Sequence, residues 1–493
     1  MFAIVAMVAS AVLVAPAAGT TDPAVECDHQ YVKVHDNTVK VLPTGGDDTE
    51  NLQCALDLAT SMSWAKVKLI AGDYHTSFLE AEGFHGVFKG AGREKTTILT
   101  LPDGLDCVTR LDEAGDLFLL TFGGSDVVIK GLTIGVGGEA PCTEPRDGFI
   151  DDEEGYGYLD RSIGAIYATQ KIGVSETCPT DTVDFRMRVY GVAVESVLPD
   201  FDAQVVEWDN FFTGVASGRL FAEFACVESW LRGDLIVRGS HFEGIRWGVI
   251  ANSTHDSTVL FGGPKPWQGN TFSDVGVGAA VAATSDTQAF VKGNHMDNVH
   301  WWGVYLLGTD LNAGLTTSTV AKNHIVGIDT ADGIGSLDFG PELGVGPLLQ
   351  STIAYNTIEV NSDFNGVYAI GTDGKIVGNR ISGEMWSGIM LDGIFDEETF
   401  EVIYPTTGWY VARNNLKQVE PFGADIWLWN STAQNTVICR CRHDTVMDLG
   451  VDNTIVHCDV LPPEEPVDTL QSIDRAMTRT LKALPYPQMR FGY

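Results

Sequence analysis

Residues 294–307 read NHMDNVHWWGVYLL, and this stretch carries the pattern that decides the fold. Asparagine is followed by any residue and an apolar one; after a short loop come glycine, an apolar residue, any residue and an apolar residue. Further copies begin at Asn323, Asn356, Asn379, Asn415, Asn435 and Asn453, with weaker ones at Ser240 and Asn270. An internal repeat with loops of variable length predicts a solenoid rather than several ordinary domains, although the chain has 493 residues.

The repeat has a direct physical interpretation. Each copy supplies strands that are too short to bury their own apolar side. Stacking the coils about 4.8 Å apart pairs each strand with the coils above and below and creates a continuous interior. Alternation then points Val304 and Leu306 inward, and the corner asparagines can hydrogen-bond their counterparts in a ladder. The sequence therefore predicts an all-β parallel β-helix over residues 28–460.

The open end of such a stack needs a cap, and residues 46–62, GDDTENLQCALDLATSM, can supply one. Leu52, Leu56 and Ala59 fall on one face at helical spacing, which predicts a capping helix over 46–61. A second cap helix is predicted in the C-terminal tail, residues 461–493.

Three motifs follow one another near the N-terminus: DDTENLQCALD at 47–57, VKLIAGDY at 67–74 and FHGVFKGAGREKTTI at 84–98. Their arrangement resembles the N-terminal cap and first coils of pectate-lyase-like β-helix proteins. The resemblance covers residues 46–98. It implies a single-stranded right-handed parallel β-helix and is not specific for any reaction.

Two further segments stand apart from the repeat. The apolar residues 1–18 end in small residues, with Ala15-Pro16-Ala17 as a cleavage site, and predict a signal peptide; an uncleaved anchor is the alternative. The protein is thus expected to be secreted, periplasmic or on the cell surface. Residues 141–230 are interpreted as coils that carry an acidic loop insertion at 145–160.

Nine cysteines accompany this export signal, so some disulfide pairing is expected. Cys27 and Cys54 could tie the N-terminal arm to the capping helix. Cys439 and Cys458 lie about one coil apart. The odd number leaves at least one unpaired thiol.

The charge balance is extreme: 31 Lys and Arg against 66 Asp and Glu give a net charge of −35. Such a field repels nucleic acid and anionic membranes, so neither is an expected partner, and no membrane contact is expected after signal cleavage. Three interpretations stay open: solubility in saline surroundings, scattered Ca²⁺ sites, or a cationic partner. Ca²⁺ is the one cofactor considered, and no other metal site is assigned.

In pectate-lyase-like proteins, as the resemblance implies, the functional strand corresponds here to GVYL, GIML and ADIWL. Its outward side chains and the preceding loops would line a groove that is rich in aromatic residues, and flat aromatic rings suit the apolar faces of sugars. The alternative is that neighbouring loops cover these rings. The predicted substrate-binding residues are Trp301, Trp302, Tyr368, Trp386, Trp427 and Trp429.

Acid–base candidates on this groove are few. Asp392 points outward by parity, Glu384 precedes the same strand, and glycoside hydrolysis uses two such carboxyl groups. His300 and Tyr305 are the remaining bases on the groove side. The readable groove strand carries no outward Lys or Arg, the residues with which a lyase or epimerase would neutralise a uronate.

The leading hypothesis is a secreted carbohydrate-active protein that binds and can cleave a polysaccharide or glycan, as a polysaccharide lyase or glycoside hydrolase. Whether it is an enzyme is left open. The first alternative is a non-catalytic surface or matrix protein, such as an adhesin. The second is a metal-handling envelope protein, because His295 and His324 follow corner asparagines and should stack on successive coils, where exposed corner histidines without a metal are the simpler interpretation.

Overall fold

The computed structural model describes residues 27–461, apart from 63, 108, 111–116, 137–162, 171, 173–183, 197–211, 219–232, 255, 284–286, 309–316, 330–331, 336–347, 363–364, 396–401, 419–423 and 442–443. The predicted signal peptide, the acidic insertion at 145–160 and the predicted C-terminal cap helix lie outside the described residues. The α-helix α1 (Thr49–Thr60) and a short 3-10 helix (Pro266–Gln268) accompany 42 strands in the part described.

The first sheet, called sheet A, has fifteen strands. In spatial order they are β1 (Val32–His35), β2 (Thr38–Val41), β3 (Ala65–Leu69), β6 (His85–Lys89), β9 (Asp126–Lys130), β12 (Phe185–Tyr190), β15 (Gly233–Arg238), β17 (Thr258–Gly262), β19 (Gln288–Lys292), β21 (Thr317–Ala321), β25 (Thr352–Ala354), β29 (Lys375–Val377), β35 (Tyr410–Ala412), β39 (Thr436–Ile438) and β41 (Thr454–Val456). All neighbours pair in parallel except β1 and β2.

The second sheet, called sheet B, contributes up to two strands to each coil. Its members are β4 (Gly72–Thr76), β5 (Leu79–Glu82), β7 (Thr96–Thr100), β8 (Phe118–Gly123), β10 (Thr133–Val136), β11 (Ile163–Thr169), β13 (Ala193–Ser196), β14 (Phe212–Gly218), β16 (His241–Thr254), β18 (Thr271–Ala283), β20 (His295–Gly308), β22 (His324–Asp329), β23 (Asp332–Gly335), β26 (Thr357–Ser362), β27 (Asn365–Ala369), β30 (Arg380–Gly383), β31 (Ser387–Leu391), β36 (Asn415–Gln418), β37 (Ile426–Leu428), β40 (Thr445–Asp448) and β42 (Asp459–Leu461). A short third sheet contains β24 (Leu348–Leu349), β28 (Gly371–Thr372), β34 (Thr406–Thr407) and β38 (Thr432–Ala433), and a hairpin pairs β32 (Ile394–Phe395) with β33 (Val402–Tyr404).

This pairing is that of a right-handed parallel β-helix, so the predicted fold is confirmed. The predicted inward residues of the groove strand, among them Val304, Leu306, Ile389 and Leu391, are buried in one continuous core. The repeated glycine of the motif stands where the chain bends within sheet B. A Cβ on Gly278 would lie 2.7 Å from the carbonyl oxygen of Gly303, so a larger residue does not fit there.

The predicted asparagine ladder is also present, at the corner between sheet A and sheet B. It runs through Asn270, Asn294, Asn323, Asn356, Asn379 and Asn414. Each amide group donates to the oxygen of the next asparagine at 2.9–3.1 Å. The same group donates to a carbonyl of sheet A; for Asn323 this acceptor is Val291, at 2.9 Å. The buried corner is therefore satisfied by side chains rather than by water.

Two details of the predicted series were wrong. The ladder member is Asn414 and not Asn415, because Asn415 is the first residue of β36 and Asn414 occupies the corner before it. Asn435 and Asn453 do not continue this ladder. They form a second, shorter one at a different corner, before β39 and β41 of sheet A, where Asn435 donates to Asn453 at 3.1 Å.

The ends of the described stack are held by disulfides. Cys27 is bonded to Cys54 of α1, and Cys439 is bonded to Cys458, as the spacing indicated. Cys441 is a free, exposed thiol. Within the residues described, no helix combines the length and the apolar character that crossing a membrane requires.

Candidate functional site

The outward side chains of sheet B gather into two apolar clusters that are separate from the interior core. The first, called the central cluster, lies on β8 to β20 and contains the predicted residues Trp301, Trp302 and Tyr305. The second, called the C-terminal cluster, contains Tyr368, Trp386, Met390, Trp427 and Trp429. The predicted outward direction of these side chains is thus confirmed.

Their accessibility differs. Trp302, Tyr305 and Trp427 are buried, with at most 5% of each residue exposed. Trp301, Tyr368, Trp386 and Trp429 are half-buried. Only the half-buried rings can offer a face to a ligand without rearrangement of the surroundings, and three of these four belong to the C-terminal cluster.

The C-terminal cluster is built from neighbouring coils. In the strand register Tyr368 lies opposite Met390, and Met390 lies opposite Trp427, so their side chains stand in one outward row. The ring of Trp427 stacks on that of Trp429, with 5.3 Å between centroids and 20° between planes. The ring of Trp386 also packs against that of Trp427, with 5.2 Å between centroids and 45° between planes. The result is a continuous aromatic surface across about two coils.

Asp392 lies at the edge of this surface, directly after β31. One of its carboxylate oxygens accepts hydrogen bonds from the Gly393 amide at 2.7 Å and the Ser431 hydroxyl at 3.0 Å. The other accepts a hydrogen bond from the Tyr368 hydroxyl at 3.0 Å. The carboxyl group is thus fixed in one orientation by three donors from three coils. Ser431 was not predicted, because its loop lies outside the repeat.

Burial raises the pKa of Asp392 from 3.8 to about 6, since few water molecules can reach the carboxylate. The hydrogen bonds from Gly393, Ser431 and Tyr368 act in the opposite direction and lower the pKa, but less strongly. A carboxyl group with a pKa near 6 can hold a proton at mildly acidic pH and release it in a reaction.

The four predicted catalytic residues do not share one location. Glu384 lies in an exposed turn before β31, and its backbone amide donates to Asn361 at 3.3 Å. His300 and Tyr305 belong to β20, which is separated from β31 by β23 and β27. Three strand spacings amount to about 14 Å. Tyr305 therefore belongs to the central cluster, with His300 on the same strand, whereas Asp392 is bonded to Tyr368 of the C-terminal cluster.

The central cluster contains a cation that the sequence analysis missed. The guanidinium of Arg246 lies 5.1 Å from the centre of the Trp301 ring, and only 1% of this arginine is exposed. It was missed because the weak repeat copy around Ser240 does not reveal which way residue 246 points. This face of the β-helix consequently carries a positive charge on β16, outside the readable groove strands that lack an outward Lys or Arg.

The histidine pair predicted to stack does so. The rings of His295 and His324 lie face to face with 4.7 Å between centroids. Asp297 accepts a hydrogen bond from His295 Nε2 at 2.8 Å. One ligand atom from each of the three residues lies within 4.8 Å of the others, so this group can hold a metal ion.

A comparison with solved structures finds proteins whose chains align with most of this chain at low sequence identity. The A-module of mannuronan C-5 epimerase AlgE4 from Azotobacter vinelandii is 14% identical, with a TM-score of 0.45 over 85% of this chain and 95% of the epimerase module. The catalytic domain of a GH87 α-1,3-glucanase in complex with tetrasaccharides is 11% identical, with a TM-score of 0.42 over 92% of this chain and 70% of the glucanase chain. The Dettilon tailspike protein is 12% identical, with a TM-score of 0.42 over 84% of this chain and 68% of the tailspike chain.

No protein-family model matches the sequence, and no curated protein matches it. At these identities and TM-scores the three structures say nothing about which residues of this chain are functional. The fold itself is established by the strand pairing described above.

Proposed function

We propose that this chain is a secreted carbohydrate-active protein that binds a polysaccharide on the C-terminal cluster and uses Asp392 as a general acid toward it. The proposal rests on one observation, the position of a buried carboxyl group beside an aromatic surface. A buried carboxyl group, held by Tyr368 and Ser431, lies at the edge of the stacked Trp427 and Trp429 rings.

The two parts have complementary roles. Aromatic rings supply large contact area to the apolar faces of sugars at low cost in conformational entropy. The half-buried Trp386 and Trp429 flank the buried Trp427, so they provide the faces on which sugars can lie. The protonated Asp392 supplies the proton that a leaving sugar oxygen needs.

Removal of a half-buried ring should therefore weaken binding. We expect Trp429→Ala and Trp386→Ala each to reduce affinity for the best ligand of a polysaccharide panel by about five- to thirtyfold, since a lost stacking partner costs roughly 1–2 kcal/mol. Affinity gel electrophoresis on the panel, followed by calorimetry on the best ligand, measures this.

Trp267→Ala is the matched control, because Trp267 is 70% exposed and lies in the turn before β18 on another face. It should leave the affinity unchanged. Equal retention of the three tryptophan variants would remove the C-terminal cluster as the binding site. New reducing ends, or the ultraviolet absorbance of unsaturated uronates, would separate an enzyme from the adhesin-like alternative.

A second function, metal handling, is supported by a different observation, the group of His295, Asp297 and His324. Two imidazoles and a carboxylate are the ligand set of many zinc sites, with the fourth position open. Side-chain rotation alone could bring the three atoms to zinc-ligand distance, because all three stand on adjacent β20 and β22.

We expect one Zn²⁺ to bind per chain near neutral pH, and His324→Ala to weaken binding at least about tenfold because one of three ligands is lost. Isothermal calorimetry with Zn²⁺ measures the stoichiometry and the affinity. His241→Ala is the control, since His241 stands at the same corner but pairs with Glu243 and Thr271 instead of a second histidine. Absence of Zn²⁺ binding by the unmodified protein would eliminate this function.

A further inference from the structure

Five lysines stand in one column on the outward face of sheet A, and each comes from a different strand. Lys33 lies opposite Lys40, Lys40 opposite Lys68, Lys68 opposite Lys89, and Lys89 opposite Lys130. The column continues with Tyr190 and Arg238 on the next two strands. With about 4.8 Å between strands, the Cα atoms of the five lysines span roughly 19 Å along the sheet.

The outward strand positions on and beside this lysine column carry few negative charges. The outward positions of the seven strands β1, β2, β3, β6, β9, β12 and β15 carry nine Lys and Arg but only two carboxylates, Asp126 and Asp234. Both carboxylates are already paired, with Arg188 and Arg186. Among the described residues no ion pair involves a lysine of the column.

Such a row is unexpected in this chain. The protein has only 31 basic residues and a net charge of −35, yet five of its lysines face one another directly. Like charges placed opposite each other on neighbouring strands destabilise a sheet. The pKa of Lys89 is lowered, first by its partial burial and then by Lys66, Lys68 and Lys130. A bound polyanion would offset this repulsion.

We infer that the lysine column is a binding site for a linear polysaccharide of uronic acids. The spacing of the charges favours this ligand. A 1,4-linked hexuronate, built from bonds of about 1.5 Å, advances about 5 Å per sugar, which is close to the strand spacing, so the carboxylates on the side that faces the sheet can meet lysines of the column. The inference rests on the proposed function for the class of ligand, a polysaccharide, but it uses a face that contains none of the residues of the C-terminal cluster.

Nucleic acid fits this face less well. Proteins that bind single strands interleave aromatic rings with their cations so that bases can stack, and the five strands of the lysine column place no ring between the lysines.

Calorimetry and salt titration with polygalacturonate test the inference. The triple change Lys40→Gln, Lys68→Gln and Lys89→Gln should weaken binding at least about tenfold and reduce the salt slope by about two, since three counterion-releasing contacts are lost. The triple change Lys322→Gln, Lys375→Gln and Lys417→Gln removes the same charge from exposed positions elsewhere and should alter the affinity less than about twofold. The triple change of the column to Arg should retain binding.

Three results would contradict the inference. Equal effects of the two glutamine triples, or unchanged binding of methyl-esterified polygalacturonate, would overturn the inference. So would a single-stranded oligonucleotide that binds as tightly and with the same dependence on the column. Trp429→Ala separates the two proposals: if it retains polygalacturonate while the column triple loses it, the inference stands whether or not the C-terminal cluster proves functional. The column triple should melt no lower than the unmodified protein, because it relieves repulsion.

Discussion

Replacement of Asn323 by alanine should lower the free energy of unfolding by about 4 kcal/mol, because several buried hydrogen-bonding groups lose their partners at once. Its side-chain amide donates to Val291 at 2.9 Å and to Asn356 at 3.0 Å. Its side-chain oxygen accepts from the backbone and the side chain of Asn294. Alanine leaves these groups buried in the stack, where no water replaces the lost bonds.

Chemical unfolding monitored by circular dichroism measures this loss, with Asn415→Ala as the control. Asn415 is half-buried at the start of β36 and lies next to the ladder without belonging to it. It should cost no more than about 0.5 kcal/mol, as for a residue outside the buried network. A loss below about 1 kcal/mol for Asn323→Ala, or equal losses for the two variants, would contradict the assigned role of the ladder.

The Asn414-Asn415 pair also separates the features of the fold that the sequence could predict from those that it could not. The fold could be predicted because each coil repeats the same local requirements: an asparagine that can turn the corner, a glycine where no Cβ fits, and apolar residues at alternate positions. In the Asn414-Asn415 pair two adjacent residues satisfy the local pattern equally well. Only the register with Asn379 decides which of them enters the ladder.

The site was less predictable for a related reason. Parity along the strand correctly directed Tyr368, Trp427 and Asp392 outward, but burial depends on loops of variable length that the repeat does not encode. Ser431 comes from such a turn, whereas Arg246 lies on β16 in a weak copy of the repeat, and both contact predicted residues.

The lysine column was missed because its members lie on strands separated by loops of unequal length. Lys68, Lys89 and Lys130 have no common spacing in the sequence, and only strand pairing places them side by side. Net charge alone suggested that a polyanion would be repelled. Composition does not say how the charges are distributed over the faces of the β-helix. On the outward face of sheet A, the lysine column supplies positive charge that can attract a polyanion.

The second large effect is expected for a substitution of Asp392, which should change how the free energy of unfolding depends on pH. Because the pKa of this carboxyl is raised from 3.8 to about 6 in the folded protein, the protonated form is favoured by folding. The contribution of the protonated carboxyl group to the free energy of unfolding is fully present below pH 3.8 and is lost as pH rises through about 6. The loss amounts to about 3 kcal/mol, at roughly 1.4 kcal/mol for each unit of pKa.

Asp392→Asn removes the titration but keeps an oxygen that can accept from Gly393 and Ser431. Relative to the unmodified protein, the variant should therefore gain about 2.5 kcal/mol between pH 4 and pH 7. Unfolding curves for both proteins at four or more pH values measure this difference. Asp373→Asn is the control; that side chain is exposed in a turn, so its difference from the unmodified protein should stay nearly constant over the same range.

The variant Tyr368→Phe tests whether Asp392 acts as a general acid. It removes the hydroxyl that donates to the Asp392 carboxylate, so the pKa of Asp392 should rise and the transition should move to higher pH. If Asp392 acts as a general acid, the falling limb of activity against pH should move in the same direction, because one group sets both. A stability curve that moves while the activity profile stays fixed would leave Asp392 as a structural residue. It would also place the catalytic proton on another group.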